Sequence, residues 1–136
     1  MGLNPYLSFN GQCESAFKFY EKLLNGKIEV IMTYAGTPAE NQVPAEWRGK
    51  ILHTRMTVGG NCLMGNDAPP GRYVQPKGFS VTLQIANPAE ADRIFQALAE
   101  GGSIQMPIQK TFWAERFGML VDRFGIPWMI NCEADD

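Results

Sequence analysis

The chain repeats itself, and that duplication limits the folds open to it more than any other feature. "YLSFNGQCESAFKFYEKLLNG" and "FSVTLQIANPAEADRIFQALAEGG" follow one scheme at an offset of 75, with Ala16 on Ala91, Tyr20 on Phe95, Leu23 on Leu98 and Gly26 on Gly101. "HTRMTVGGNCLMGN" and "GMLVDRFGIPWMIN" then align at an offset of 65, with Gly60 on Gly125, Met64 on Met129 and Asn66 on Asn131. The offset falls because the first copy carries a longer loop, "AGTPAENQVPAEWRGK". Two copies of this length form a duplication; a solenoid needs shorter and more numerous repeats.

Each copy spells strand, helix, strand, strand, strand. The second helix has Asn87 as N-cap, Pro88 at the first helical position, Glu90 at the capping-box position and Gly101-Gly102 as its stop. Ala91, Ile94, Phe95 and Leu98 give it one apolar stripe. The first helix is expected from about Gln12 to Leu24, with Ala16, Phe17, Tyr20 and Leu24 on one face and Asn25-Gly26 closing it. One helix covers only one face of such a sheet, so the other face needs a partner. Two βαβββ units side by side, with open faces curving around a shared cavity, answer that need. The expectation is a single α+β domain over residues 1–136, with a curved mixed sheet built from unit 1–65, a Pro- and Gly-rich connector 66–78, and unit 79–136.

Composition removes several function classes. Hydrophobic residues at 45% and charged residues at 19% suit a packed domain and oppose disorder. A net charge of −2 leaves no basic footprint for nucleic acid. No apolar run is long enough to span a membrane, and "MGLNPYLSFNG" lacks the charged and apolar regions of a signal peptide, so a cytoplasmic protein with no membrane partner is expected. Cys13, Cys62 and Cys132 are far apart in sequence and form no C-x-x-C pair, which suits reduced thiols better than a thiolate zinc site.

The candidate binding residues come from strand alternation and from aromatic and charged clusters. In "ILHTRMTV", Leu52, Met56 and Val58 fall on one face and His53, Arg55 and Thr57 on the other. His53 is the only histidine, a residue type that serves either in ligand contact or as a base. "KTFWAERFG", residues 110–118, reads as a loop or short turn whose Trp113 stacks on a ligand while Glu115 or Arg116 orients its polar group, or else as a cap and subunit contact. Glu46 and Trp47 form a similar pair in the other long loop. "DAPPG", residues 67–71, reads as a rigid turn, and Asp122 with Arg123 as the fixings of the last hairpin turn. No catalytic residue is assigned, because no Ser-His-Asp set or carboxylate pair stands out among the fourteen acids.

"YLSFNGQCESAFKFYEKLLNG", "VPAEWRGKILHTRMTVGG", "LMGNDAPPG", "FSVTLQIANPAEADRIFQALAEGG" and "FWAERFGMLVDRFGIPWMINC" together resemble the vicinal oxygen chelate superfamily of glyoxalases, bleomycin-resistance proteins and extradiol dioxygenases. They look most like its PhnB-like branch, often labelled 3-demethylubiquinone methyltransferase-like. The resemblance implies the paired βαβββ fold. It also implies four strand positions that hold His or Glu around a metal in metal-dependent members, and these map to Pro5, Met64, Ser80 and Met129. None is a usual donor for a hard or borderline divalent ion. Methyl transfer lacks support, since "VGGNC" sits in a hairpin turn and not between a strand and a helix.

The expected function is therefore metal-free binding of a small molecule, with no cofactor and with His53, Arg55, Met64, Ser80, Trp113, Glu115 and Met129 lining the cavity. The alternatives are an enzyme with a relocated site near His53 and Glu115, and a protein whose packed cavity serves association. A homodimer is expected, its units pairing within a chain or across two.

Overall fold

The structure is a computed structural model, and it describes residues 1–134. The chain divides into two compact units, Met1–Val74 and Gln75–Asp136. The first contains β1 (Tyr6–Phe9), α1 (Cys13–Leu23), β2 (Lys27–Thr33), β3 (Ile51–Val58) and β4 (Asn61–Asp67). The second contains β5 (Val81–Gln84), α2 (Pro88–Ala99), β6 (Ser103–Gln109), β7 (Ala114–Val121) and β8 (Pro127–Glu133). The sheets run β1-β4-β3-β2 and β5-β8-β7-β6. In each, the first strand pairs parallel with the last strand and the other pairings are antiparallel. Both units thus have the α+β βαβββ order of the duplicated sequence.

Each helix buries its stripe on one face of its own sheet. In the first unit Cys13, Ala16, Phe17 and Tyr20 meet Leu7, Phe9, Thr54 and Met56 in the core. The Phe17 ring packs edge-on against Phe9 and Tyr20. In the second unit Ala91, Ile94, Phe95 and Leu98 are buried from the helix, and Leu120, Trp128, Ile130 and Cys132 from the strands. Two glycines let helix and sheet approach. A Cβ on Gly65 would lie 2.7 Å from both the Leu7 carbonyl oxygen and the Phe17 ring, and one on Gly118 would lie 2.6 Å from the Phe95 ring.

The helix starts are capped differently. The Asn87 side chain accepts from the Glu90 backbone N–H at 3.0 Å, as its position in the sequence predicts. Glu90 does not complete the reciprocal capping box. Its carboxylate instead accepts from the Arg93 guanidinium one turn on. Gln12, before α1, offers no side-chain cap. Asp67, at the end of β4, fills that role. Its Oδ1 accepts from the backbone N–H of Gly11 and Cys13, and its Oδ2 from Ile51, each at 2.9 Å. One buried carboxylate therefore ties the last strand to the start of α1 and of β3. Asp67 is thus a strand-end tether, where "DAPPG" reads in sequence as a turn.

Asp122 does similar work locally. Its Oδ1 accepts from Phe124 N and Ile126 N, and its Oδ2 from the Trp128 indole at 2.9 Å. The final hairpin turn is fixed through Asp122, as its sequence suggests. Residues 110–118 are not a single loop. β7 begins at Ala114, and an irregular register opposite β8 absorbs Glu115 between Ala114 and Arg116.

Two predictions follow from this packing. Gly65→Ala lowers unfolding free energy by about 1–3 kcal/mol, the usual range for overpacking. Gly49→Ala, with nothing within 4 Å of the added carbon, stays within about 0.5 kcal/mol; urea denaturation of both measures the contrast. The Cys13 thiol is pushed well above its ordinary range by burial first and by the Asp67 and Glu14 charges next. It stays neutral in the folded chain while the unfolded thiol ionises above about pH 8.5. The stability this group contributes is complete below that pH and falls as pH rises beyond it, by at most about 1.4 kcal/mol per pH unit. The slope of stability between pH 8.5 and 10 should be shallower in Cys13→Ala than in the parent.

Candidate functional site

Because one helix covers one face, alternation along each strand assigns every other side chain to the opposite, open face. In β4, Leu63, Gly65 and Asp67 are buried on the helix side, while Met64 and Asn66 are half-buried on the open side. The register extends this assignment across the sheet. Tyr6, Met64 and Arg55 form one row of paired residues, and Ser8 pairs with Asn66, His53 with Met32. The Tyr6 ring stacks on His53 at 5.9 Å between centroids, with the hydroxyl 3.3 Å from His53 Nδ1. Burial raises the Tyr6 phenol above its ordinary pKa, so it stays neutral at physiological pH. The Ser8 hydroxyl donates to Asn66 Oδ1 at 3.0 Å. Arg55 is exposed and has no ion pair among the described residues.

The second unit presents the same geometry with different chemistry. Thr82, Met129 and Met119 form the row equivalent to Tyr6, Met64 and Arg55. Gln84, Asn131 and Phe117 form the row equivalent to Ser8, Asn66 and His53. A methionine thus stands where the first copy has arginine, and a phenylalanine where it has histidine. The Asn131 amide donates to Gln84 Oε1 at 2.8 Å, while its own oxygen is buried without a partner. Beside this face lies a groove of about 720 Å³, floored by Met119, Val121, Pro127 and Met129 and walled by Gln75, Pro76, Lys77, Gly78, Phe79, Ser80 and Gln105.

The residues picked from sequence fall into separate groups. His53, Arg55 and Met64 share the open face of the first unit. Ser80 and Met129 line the groove of the second. Trp113 precedes β7, its ring packed edge-on between Phe112 at 4.7 Å and Phe117 at 5.4 Å. Glu115 lies 3.8 Å from Lys110 Nζ and 3.5 Å from the Arg116 guanidinium. Arg116 is engaged elsewhere, its Nε donating to Asp92 of α2 at 3.1 Å, so it braces the helix. His53 and Glu115 belong to different units. Trp47 packs near Gly11 beneath Lys50, whose ammonium donates to the Gly11 carbonyl at 3.0 Å. Tyr6, Met119, the connector residues 75–78 and Phe79 carry no motif that singles them out in the sequence. Strand alternation alone would have found Tyr6 and Met119, which share a face with Ser8 and Phe117.

Register also revises the metal positions. The parallel pairings set Tyr6 opposite Met64 and Thr82 opposite Met129, an offset of 76 between the first strands where the helices keep 75. Tyr6, not Pro5, therefore stands on the open face of β1. Pro5 precedes the strand, and its carbonyl accepts from Met64 N at 3.1 Å. By alternation, Ser80 shares the open side with Thr82. A phenol, two thioethers and aliphatic hydroxyls do not fit the imidazole and carboxylate sites of divalent metal enzymes. No group of three His, Cys, Asp or Glu side chains suited to a metal occurs among the described residues.

Comparison with known proteins agrees with this architecture. A family model described as 3-demethylubiquinone-9 3-methyltransferase matches residues 2–131. Protein YjdN of Escherichia coli K12 is 35% identical over 96% of this chain and 95% of its own. The crystal structure of protein PA1353 from Pseudomonas aeruginosa superposes with a TM-score of 0.90 at 47% identity, covering 99% of both chains. A PhnB protein from Bacillus cereus does so at 0.83 with 25% identity, over 97% of this chain and 99% of its own. A glyoxylase/bleomycin resistance protein/dioxygenase domain from Frankia sp. shares the fold at a TM-score of 0.64 and 12% identity, over 97% of this chain and 94% of its own. No helix among the described residues is long and apolar enough to cross a membrane. The chain belongs to the 3-demethylubiquinone-9 3-methyltransferase-like family, is similar to a PhnB protein, and shares its fold with glyoxalase/bleomycin resistance/dioxygenase proteins.

Proposed function

We propose that this protein binds a small organic molecule without the help of a metal ion. The groove of about 720 Å³ beside Met119 and Met129 carries the proposal. It is within the usual size range for ligand sites, and its floor is apolar with a few polar groups at the wall. Thioethers adapt to the shape of an apolar or aromatic guest. The donor set at the four strand positions favours organic contact over coordination. Metal analysis of protein purified without chelator should find well under one zinc, nickel, manganese or iron per chain; a stoichiometric ion that is lost only on chelation would overturn the metal-free reading.

The family label names a methyl transfer. The glycines that such a label leads one to inspect, Gly59 and Gly60, join β3 to β4 in a hairpin and open no helix. A dinucleotide-style cradle needs a helix N-terminus there to face the ligand. The residues therefore give methyl transfer no support of their own.

One observation favours a catalytic alternative. The Tyr6 hydroxyl, 3.3 Å from His53 Nδ1, holds the imidazole in place and leaves its other nitrogen for proton exchange. Turnover that disappears in His53→Ala while binding survives would select that alternative.

The expected homodimer is retained as part of the proposal. It is supported by apolar side chains on edge strands, Ile31 and Met32 on β2 and Ile104 on β6, each between 43% and 48% exposed. Light scattering should give twice the 15.1 kDa chain mass, and a monomer at micromolar concentration would contradict it.

A further inference from the structure

We infer that the groove of the second unit selects an aromatic molecule bearing one carboxylate-type anionic group. The inference rests on the proposal that this groove is a ligand site, and adds the ligand's chemical class. Its floor offers Met119, Met129, Val121 and Pro127, with Phe79 at the wall. Two thioethers beside an aromatic ring favour a flat π-system, since sulfur packs well against ring edges. Among the described residues, the one charged side chain in the lining is Lys77. Lys77 is exposed, and among the described residues it has no ion pair and no acid lines the groove to neutralise it. An apolar guest with an anionic group would gain the floor and the ammonium together. A cationic guest would meet like charge, which costs selectivity more than it costs shape fit. Ser80 and Gln105 add a hydroxyl and an amide donor to the same lining.

The test uses the full chain labelled with ¹³C in its methionine methyl groups. The probes are 2-naphthoate, neutral 2-naphthalenemethanol and cationic 2-(aminomethyl)naphthalene. Met119→Leu and Met129→Leu assign the two reporter signals. The expected result is ring-current movement of the Met119 and Met129 methyls, tightest for 2-naphthoate and weakest for the amine. Lys77→Glu should weaken 2-naphthoate about five-fold, the scale of an exposed ion pair, and leave 2-naphthalenemethanol unchanged. Equal binding of all three probes at these methyls would overturn the charge selection while leaving the ligand site standing. Movement confined to other methionines, or no movement with any probe, would overturn both.

Discussion

One helix for four strands is the constraint on which the rest of each unit depends. It buries a single sheet face, so every second side chain must look the other way. The register between the outer and last strands then decides which side chains those are. Tyr6 opposite Met64 and Thr82 opposite Met129 set the open rows. Two close approaches keep helix and sheet together, at Gly65 under Phe17 and at Gly118 under Phe95. Asp67 links the end of β4 to the starts of α1 and β3. The geometry of the open face is thus a consequence of packing on the covered one.

The two copies keep this frame and differ in what they display. The asparagine that follows the methionine by two residues is retained in both, with Ser8 or Gln84 as its partner. Around it, His53 and Arg55 in one copy correspond to Phe117 and Met119 in the other. The duplicated scaffold thus presents His53 and Arg55 in one copy where the other presents apolar side chains. At the positions where metal-dependent relatives of the fold place carboxylate or imidazole, both copies carry methionine on the last strand. That shared residue ties Met64 to Met129 as equivalent positions of the two copies.

Much of the fold was legible from residue order because its signals are local. Asn87, Pro88 and the Ala91-Ile94-Phe95-Leu98 stripe specify α2 without reference to the rest of the chain. The alternation in "ILHTRMTV" correctly separated His53 and Arg55 from Met56. What escaped was long-range. Asp67 caps a helix more than fifty residues earlier in the chain, and nothing near it in sequence announces that bond. The mapping to Pro5 carries the helix offset of 75 back to the first strand, while the stretch from strand to helix is one residue longer in the first copy. Arg116 beside Trp113 looked like a recognition cluster until the strand pairing turned it toward Asp92. The groove wall at residues 75–78 comes from the connector's path, which composition marks only as irregular chain.

The most direct test of this account is an experimental electron-density map of the groove, from protein purified without chelator or added ligand. The account predicts either ordered water or a compact organic feature lying between Phe79 and the Met119–Met129 floor. A strong anomalous peak ligated by side chains near Tyr6, Met64, Thr82 or Met129 would contradict it.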